Sequence, residues 1–121
     1  MSNKTPLACD LSAIEDDRLE EHKRNGEKVF NSIKDWHELP EGYAFRLPAE
    51  TSIIQKTGAF ISLERLCCPF FNFELEVTPD HGPVWLKIKN DQRVKEFVEA
   101  NIVTQLKSEN NSDWQKANNT N

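Results

Sequence analysis

The sequence is short of the residues on which simple functional assignments rest. Its 121 residues include only four glycines, scattered singly, so there is no glycine-rich loop to cradle a phosphate. Basic residues are outnumbered, 15 against 20 acidic, giving a net charge of -5; this argues against a dedicated nucleic-acid binder, which carries a basic footprint. No stretch approaches the roughly 18 consecutive apolar residues that a membrane helix needs. The opening Met1–Asp10 segment lacks the apolar core of a secretory leader, so a cytoplasmic protein is expected. Three cysteines make an odd number, with no Cys-x-x-Cys spacing and no disulfide framework, and in the cytoplasm they are expected to be reduced thiols.

What is present suffices for one domain. Apolar residues are 37% of 121, about 45 side chains, enough for one core and not two. We assign residues 1–106 to a single domain with an extended N-terminal arm over 1–11. The Asn- and Ser-rich stretch 107–121, with Trp114 as its only large apolar residue, reads as a disordered polar tail.

Periodicity orders the elements. Ser12 and Glu15 have the spacing of a capping box, and Leu19, His22, Gly26, Val29 and Ile33 form a helical stripe behind it. Asp35–Leu39 and Tyr43–Leu47 flank Pro40-Glu41-Gly42, a turn in which glycine supplies a positive φ, and together they predict a hairpin. Thr51 or Ser52 opens a second helix carrying Ile53, Phe60, Leu63 and Cys67 on one face; Pro69 stops it near Cys67. Phe71, Phe73, Leu75 and Val77 alternate with polar residues, as do Val84, Leu86 and Ile88 after the Pro79–Pro83 turn cluster. Glu74 and Glu76 then share a sheet face with Lys87 and Lys89, which supports antiparallel pairing. Asn90 or Asp91 caps a third helix striped by Val94, Phe97, Val98 and Ile102. The prediction is an α+β fold of order α-β-β-α-β-β-α, a four-stranded antiparallel sheet with helices packed on one face.

Chemistry concentrates at Cys67-Cys68-Pro69-Phe70, where a helix hands over to a strand. Two adjacent thiols diverge unless the backbone bends. If they converge, and Cys9 folds across from the arm, three thiolates form a site for a soft ion: zinc, copper(I), mercury(II) or arsenic(III). Glu64, four residues before Cys68, lies on the same side of the helix and offers a hard co-ligand or a proton acceptor. Two effects oppose thiolate there, the negative end of the helix dipole and burial among phenylalanines; a bound cation reverses both. The competing reading makes Cys67 a small core hydrophobe and Cys68 a loop residue. His22, His37 and His81 show no metal spacing and are not expected as ligands, and Arg65 reads as a surface charge. Trp85 falls on the polar sheet face beside Lys87 and Lys89. It is either a protein-partner surface or is covered by Trp36 or the tail.

Leu7-Ala8-Cys9-Asp10-Leu11, Leu39–Phe45, Glu64-Arg65-Leu66-Cys67-Cys68-Pro69-Phe70-Phe71 and Gly82-Pro83-Val84-Trp85-Leu86 occur in this order. The set resembles a family of small bacterial proteins with an Arg-x-Cys-Cys-Pro-Phe motif, loosely associated with heavy-metal resistance. The resemblance covers about residues 6–103 and implies a shared thiol site at Cys9, Cys67 and Cys68, without implying a particular reaction.

Three functions follow for test. The first is a soft-metal or metalloid thiolate-binding domain using Cys9, Cys67 and Cys68 with Glu64, more a binding protein than an enzyme. The second is a thiol redox enzyme with Cys68 reactive and Cys67 or Cys9 as its resolving partner. The third is a non-enzymatic interaction module whose cysteines only pack and whose partner surfaces are Trp85 and the acidic first helix.

Overall fold

The computed structural model describes residues 7–109. A 3-10 turn, Leu11–Ala13, precedes α1 (Asp16–Asn31), β1 (Asp35–Leu39), β2 (Gly42–Leu47), α2 (Thr51–Cys67), β3 (Asn72–Val77), β4 (Val84–Lys89) and α3 (Gln92–Val98); a π-helical turn, Glu99–Val103, then leads into α4 (Thr104–Glu109). The four strands form one antiparallel sheet in the order β1-β2-β4-β3, so the two predicted hairpins lie side by side and join through β2 and β4. The α+β architecture and its order are those the sequence pattern predicts.

Strand alternation builds the core. Tyr43, Phe45 and Leu47 pair across from Ile88, Leu86 and Val84, and all six are buried. Phe73, Leu75 and Val77 continue these rows on edge strand β3, where cover thins and Val77 is 54% exposed. Helices supply the other layer through Val29 and Ile33, Ile53, Val94 and Val98, and Val103 and Leu106. On the opposite sheet face, Glu74 stands directly across from Lys87. The ion pairs nevertheless form on the diagonal, Lys89 Nζ to Glu74 at 2.9 Å and Lys87 Nζ to Glu76 at 3.5 Å. Exposed pairs of this kind contribute about 0–1 kcal/mol each.

Three local expectations are corrected. The Ser12–Glu15 capping box does not form: Asp10 accepts hydrogen bonds from the Ser12 amide at 3.1 Å and its hydroxyl at 2.5 Å. The chain therefore makes a separate turn, and α1 starts later, at Asp16. Gly42 has no positive φ. Its small size is what matters, because a Cβ there would collide with the Ile88 carbonyl and with Lys89. The third helix is not one regular α-helix; it passes through the π turn and continues to Glu109, past the boundary drawn at 106. Asp91, one of the two proposed caps, does accept from the Val94 amide at 3.1 Å. The rest of the predicted tail, 110–121 with Trp114, lies outside the described residues, as do residues 1–6 of the arm.

Candidate functional site

The last turn of α2 carries Glu64 and Cys67, and Cys68 is its C-terminal cap. Pro69 disfavours helical geometry at the residue before it. Cys68 accordingly leaves the helix with φ -126 and ψ 71. This bend removes the divergence expected of adjacent helical cysteines, and the Cys67 and Cys68 sulfurs lie 3.7 Å apart. Two further bonds hold the exit loop: the Phe71 amide donates to the Cys68 carbonyl at 3.3 Å, and Asn90 Nδ2 donates to the Phe70 carbonyl at 2.9 Å.

The N-terminal arm closes the site from the other side. The amide of Asp10 donates to the Cys67 carbonyl at 2.8 Å, satisfying a group that the helix end leaves without an intrahelical partner. Ile14, 2% exposed, packs on Cys67 and Cys68 in a small apolar cluster separate from the main core, with Leu19, Leu63, Phe70 and Phe71 around it. Cys9 is thereby delivered to Cys68, and the two form a disulfide with their Cα atoms 4.7 Å apart. This corrects the expectation of three reduced thiols; Cys67 is the free, buried cysteine.

Glu64 links the sulfurs to α1. Its Oε1 accepts from the Cys67 thiol at 3.5 Å and contacts His22 Nε2 at 2.8 Å. The Cys68 sulfur lies 3.4 Å from Oε2, a contact that becomes an S–H···O bond only when the disulfide is open. With the carboxylate ionised, the hydrogen must sit on His22 Nε2. His22 is 4% exposed and lies flat against Phe60, with centroids 5.2 Å apart and planes 8° from parallel. Gly26, one turn further along α1, allows this approach, since a Cβ would come within 3.1 Å of the Phe60 ring. Nδ1 of His22 is buried and has no hydrogen-bond partner among the described residues.

Cys9, Glu64, Cys67 and Cys68 each offer one donor atom, and the four atoms lie within 4.8 Å of one another. The proposed ligand set is therefore brought together in full. Burial first, then the charge and hydrogen bond of Glu64, push the Cys67 thiol up from its ordinary value of 9.0 to about 11. A neutral thiol is thus the resting form, and thiolate requires a nearby cation.

The remaining candidates lie elsewhere. His37 packs on Trp85 at 4.9 Å, and His81 sits in the β3–β4 turn with φ 58, so neither joins the cluster. Arg65 is exposed. Trp85 lies on the face away from the helices, where His37 and not Trp36 is its neighbour; Trp36 turns inward against Tyr43. No helix of the described residues is long and apolar enough to cross a membrane. The residue that sequence reasoning undervalued is His22, which does not join the four-donor group but fixes Glu64. Its place on the apolar stripe, one turn before a glycine in a helix interior, was the available signal. Comparison with protein-family models, with curated proteins and with solved structures gave no match.

Proposed function

We propose that the reduced protein binds one soft, thiophilic ion through Cys9, Cys67 and Cys68, with Glu64 as the oxygen donor or proton acceptor. The observation that carries this reading is the convergence of four donor atoms within 4.8 Å on segments 55 or more residues apart in sequence, Cys9 against Glu64–Cys68. Three thiolates suit trigonal mercury(II) or arsenic(III), and with the Glu64 carboxylate they make a tetrahedral set for zinc. His22 holds that carboxylate in place, the role that outer partners usually play for metal ligands. The motif resemblance to a bacterial family loosely associated with heavy-metal resistance is in keeping with this reading.

The Cys9–Cys68 disulfide makes binding depend on redox state. In the oxidised chain only Cys67 retains a thiol, and one sulfur does not make a chelate. Opening the bond takes two electrons and two protons and releases two donors: a thiol reductant supplies both and becomes a disulfide, whereas a phosphine supplies the electrons, becomes the phosphine oxide and draws the protons from water.

A second reading, thiol–disulfide exchange, is favoured by the Cys67 sulfur lying 3.7 Å from Cys68. There, Cys67 thiolate would attack Cys68 and release Cys9 as thiolate. A thiol with a pKa of about 11 supplies little thiolate at neutral pH, which ranks this reading below ion binding.

Native mass spectrometry of the full chain tests the proposal. Reduced protein with one equivalent of zinc, mercury(II) or arsenite is expected to retain one ion, with a loss of three titratable thiols. The oxidised protein is expected to retain none. Unchanged affinity in both Cys67→Ser and Cys68→Ser would end the proposal.

A further inference from the structure

Two members of the four-donor cluster, Cys9 and Glu64, line a cleft far larger than an ion. The cleft measures about 740 Å³, within the range of small-molecule sites. Cys9 and Glu64 line it together with Phe60, Phe71, Phe73 and Phe97, and Lys23, Glu27 and Gln105 add polar groups to the lining. The aromatic wall is continuous: Phe71 meets Phe73 edge-on at 5.5 Å and Phe97 at 5.7 Å, and Phe73 meets Phe60 at 6.4 Å. The π turn shapes the far side, since it carries Asn101 and Ile102 into the lining. A bare ion would use none of this surface.

We infer that the site takes an organic derivative of trivalent arsenic, R–As(OH)2, with the arsenic on Cys9 and Cys68 and an aromatic R group in the cleft. This rests on the thiol-site reading above. Cys9 and Cys68 suit a two-sulfur chelate, because side chains that reach each other to form a disulfide, from Cα atoms 4.7 Å apart, can also bridge one arsenic. Cys9 is also the cysteine that lines the cleft, which sets the substituent on the apolar side. An organomercury cation is nearly linear and needs one thiolate, so it would leave the pair unused.

The chemistry balances without further oxidant. A phosphine reductant first opens the disulfide and is itself oxidised. Two As–O bonds then break and two As–S bonds form; each hydroxide leaves as water with one thiol proton, and arsenic stays trivalent. Cys67 keeps its thiol, so the titratable count falls from three to one.

The test uses the phosphine-reduced full chain with phenylarsonous acid, methylarsonous acid and arsenite. Each is competed against dithiothreitol, which cancels the intrinsic As–S strength of the compound. We expect the phenyl compound to bind at least tenfold more tightly than the methyl compound. Ile102→Trp, which narrows the cleft, is expected to remove that preference and leave methyl binding unchanged. Phe97→Ala, which strips part of the wall, serves the same purpose if Ile102→Trp does not fold. Equal phenyl and methyl binding, or a phenyl preference untouched by both variants, would overturn the inference while arsenite binding with loss of three thiols preserves the thiol site. Absence of binding by all three compounds would overturn the inference, and would overturn the thiol-site reading with it if zinc and mercury(II) are not retained either.

Discussion

The molecule has two apolar clusters, and they are made in different ways. The main core joins the two central strands of the sheet, β2 and β4, to the helices, and its buried members include Phe45, Leu47, Leu86, Val29, Val94 and Val98. The smaller cluster has three buried members, Ile14, Cys67 and Cys68. The first comes from repeating side-chain alternation within regular elements. The second comes from two chain ends meeting: the exit of α2 and the arm before α1, joined by one backbone hydrogen bond and one disulfide. Regular elements supply stability, and the junction supplies the reactive atoms. An irregular stretch can aim sulfur, carboxylate and carbonyl groups at one point, where periodic elements spread their side chains along a face.

Breaking the main core should cost most and leave the thiols alone. Phe45 is fully buried, so Phe45→Ala should destabilise the protein by about 3–5 kcal/mol in urea unfolding, with an unchanged thiol count in the folded state. Breaking the junction should cost somewhat less. The disulfide closes a loop with a sequence separation of 59, and Cys9→Ser should lower stability by about 2–4 kcal/mol through the freer unfolded chain. The same variant should expose two reactive thiols on denaturation under non-reducing conditions, where the parent shows one.

A third variant sharpens the comparison at its hinge. His22→Phe keeps a ring against Phe60 but removes the donor to Glu64, and should cost about 1.5–3 kcal/mol. Because the carboxylate is then no longer held, zinc affinity of the reduced protein should fall by about 10–100-fold. A loss of stability with unchanged zinc affinity would make His22 a core residue only.

The smallest effect is a pH dependence particular to the junction. The folded protein holds the Cys67 thiol at about 11 against 9.0 ordinarily, so folding favours the protonated form. The corresponding stability is fully present below about pH 9 and is lost as pH rises through about 11. Comparison of urea midpoints for the parent and Cys67→Ala between pH 8 and pH 11 should show the parent falling more steeply. Parallel curves would mean that burial and Glu64 do not hold the thiol.

The contrast also explains what could be read from the sequence. α2 ends at Cys67 as Pro69 requires, and the alternation of Phe73, Leu75 and Val77 with Glu74 and Glu76 places β3 correctly. These follow from local rules acting within one element. The ligand set of Cys9, Glu64, Cys67 and Cys68 was legible as residue types, with two open conditions: the bend at Cys68 and the return of Cys9 from the arm. That Cys9, rather than Cys67, pairs with Cys68 was not legible, because it depends on how the arm packs, and Ile14 and Asp10 control that packing through contacts with residues more than 50 positions away. The failed Ser12–Glu15 box has the same origin: Asp10 is a closer acceptor for Ser12 than a helix that has yet to start. His22 looked like a stripe-edge histidine because its partner, Glu64, lies 42 residues further on.

The proposed site brings three sulfurs and one carboxylate onto a single ion when the protein is reduced. X-ray absorption at the zinc edge of the reduced, zinc-loaded chain counts those neighbours directly. Three sulfurs at about 2.3 Å and one oxygen at about 2.0–2.2 Å are expected of the proposed site. A shell with one sulfur or none, filled by oxygen and nitrogen, would contradict it.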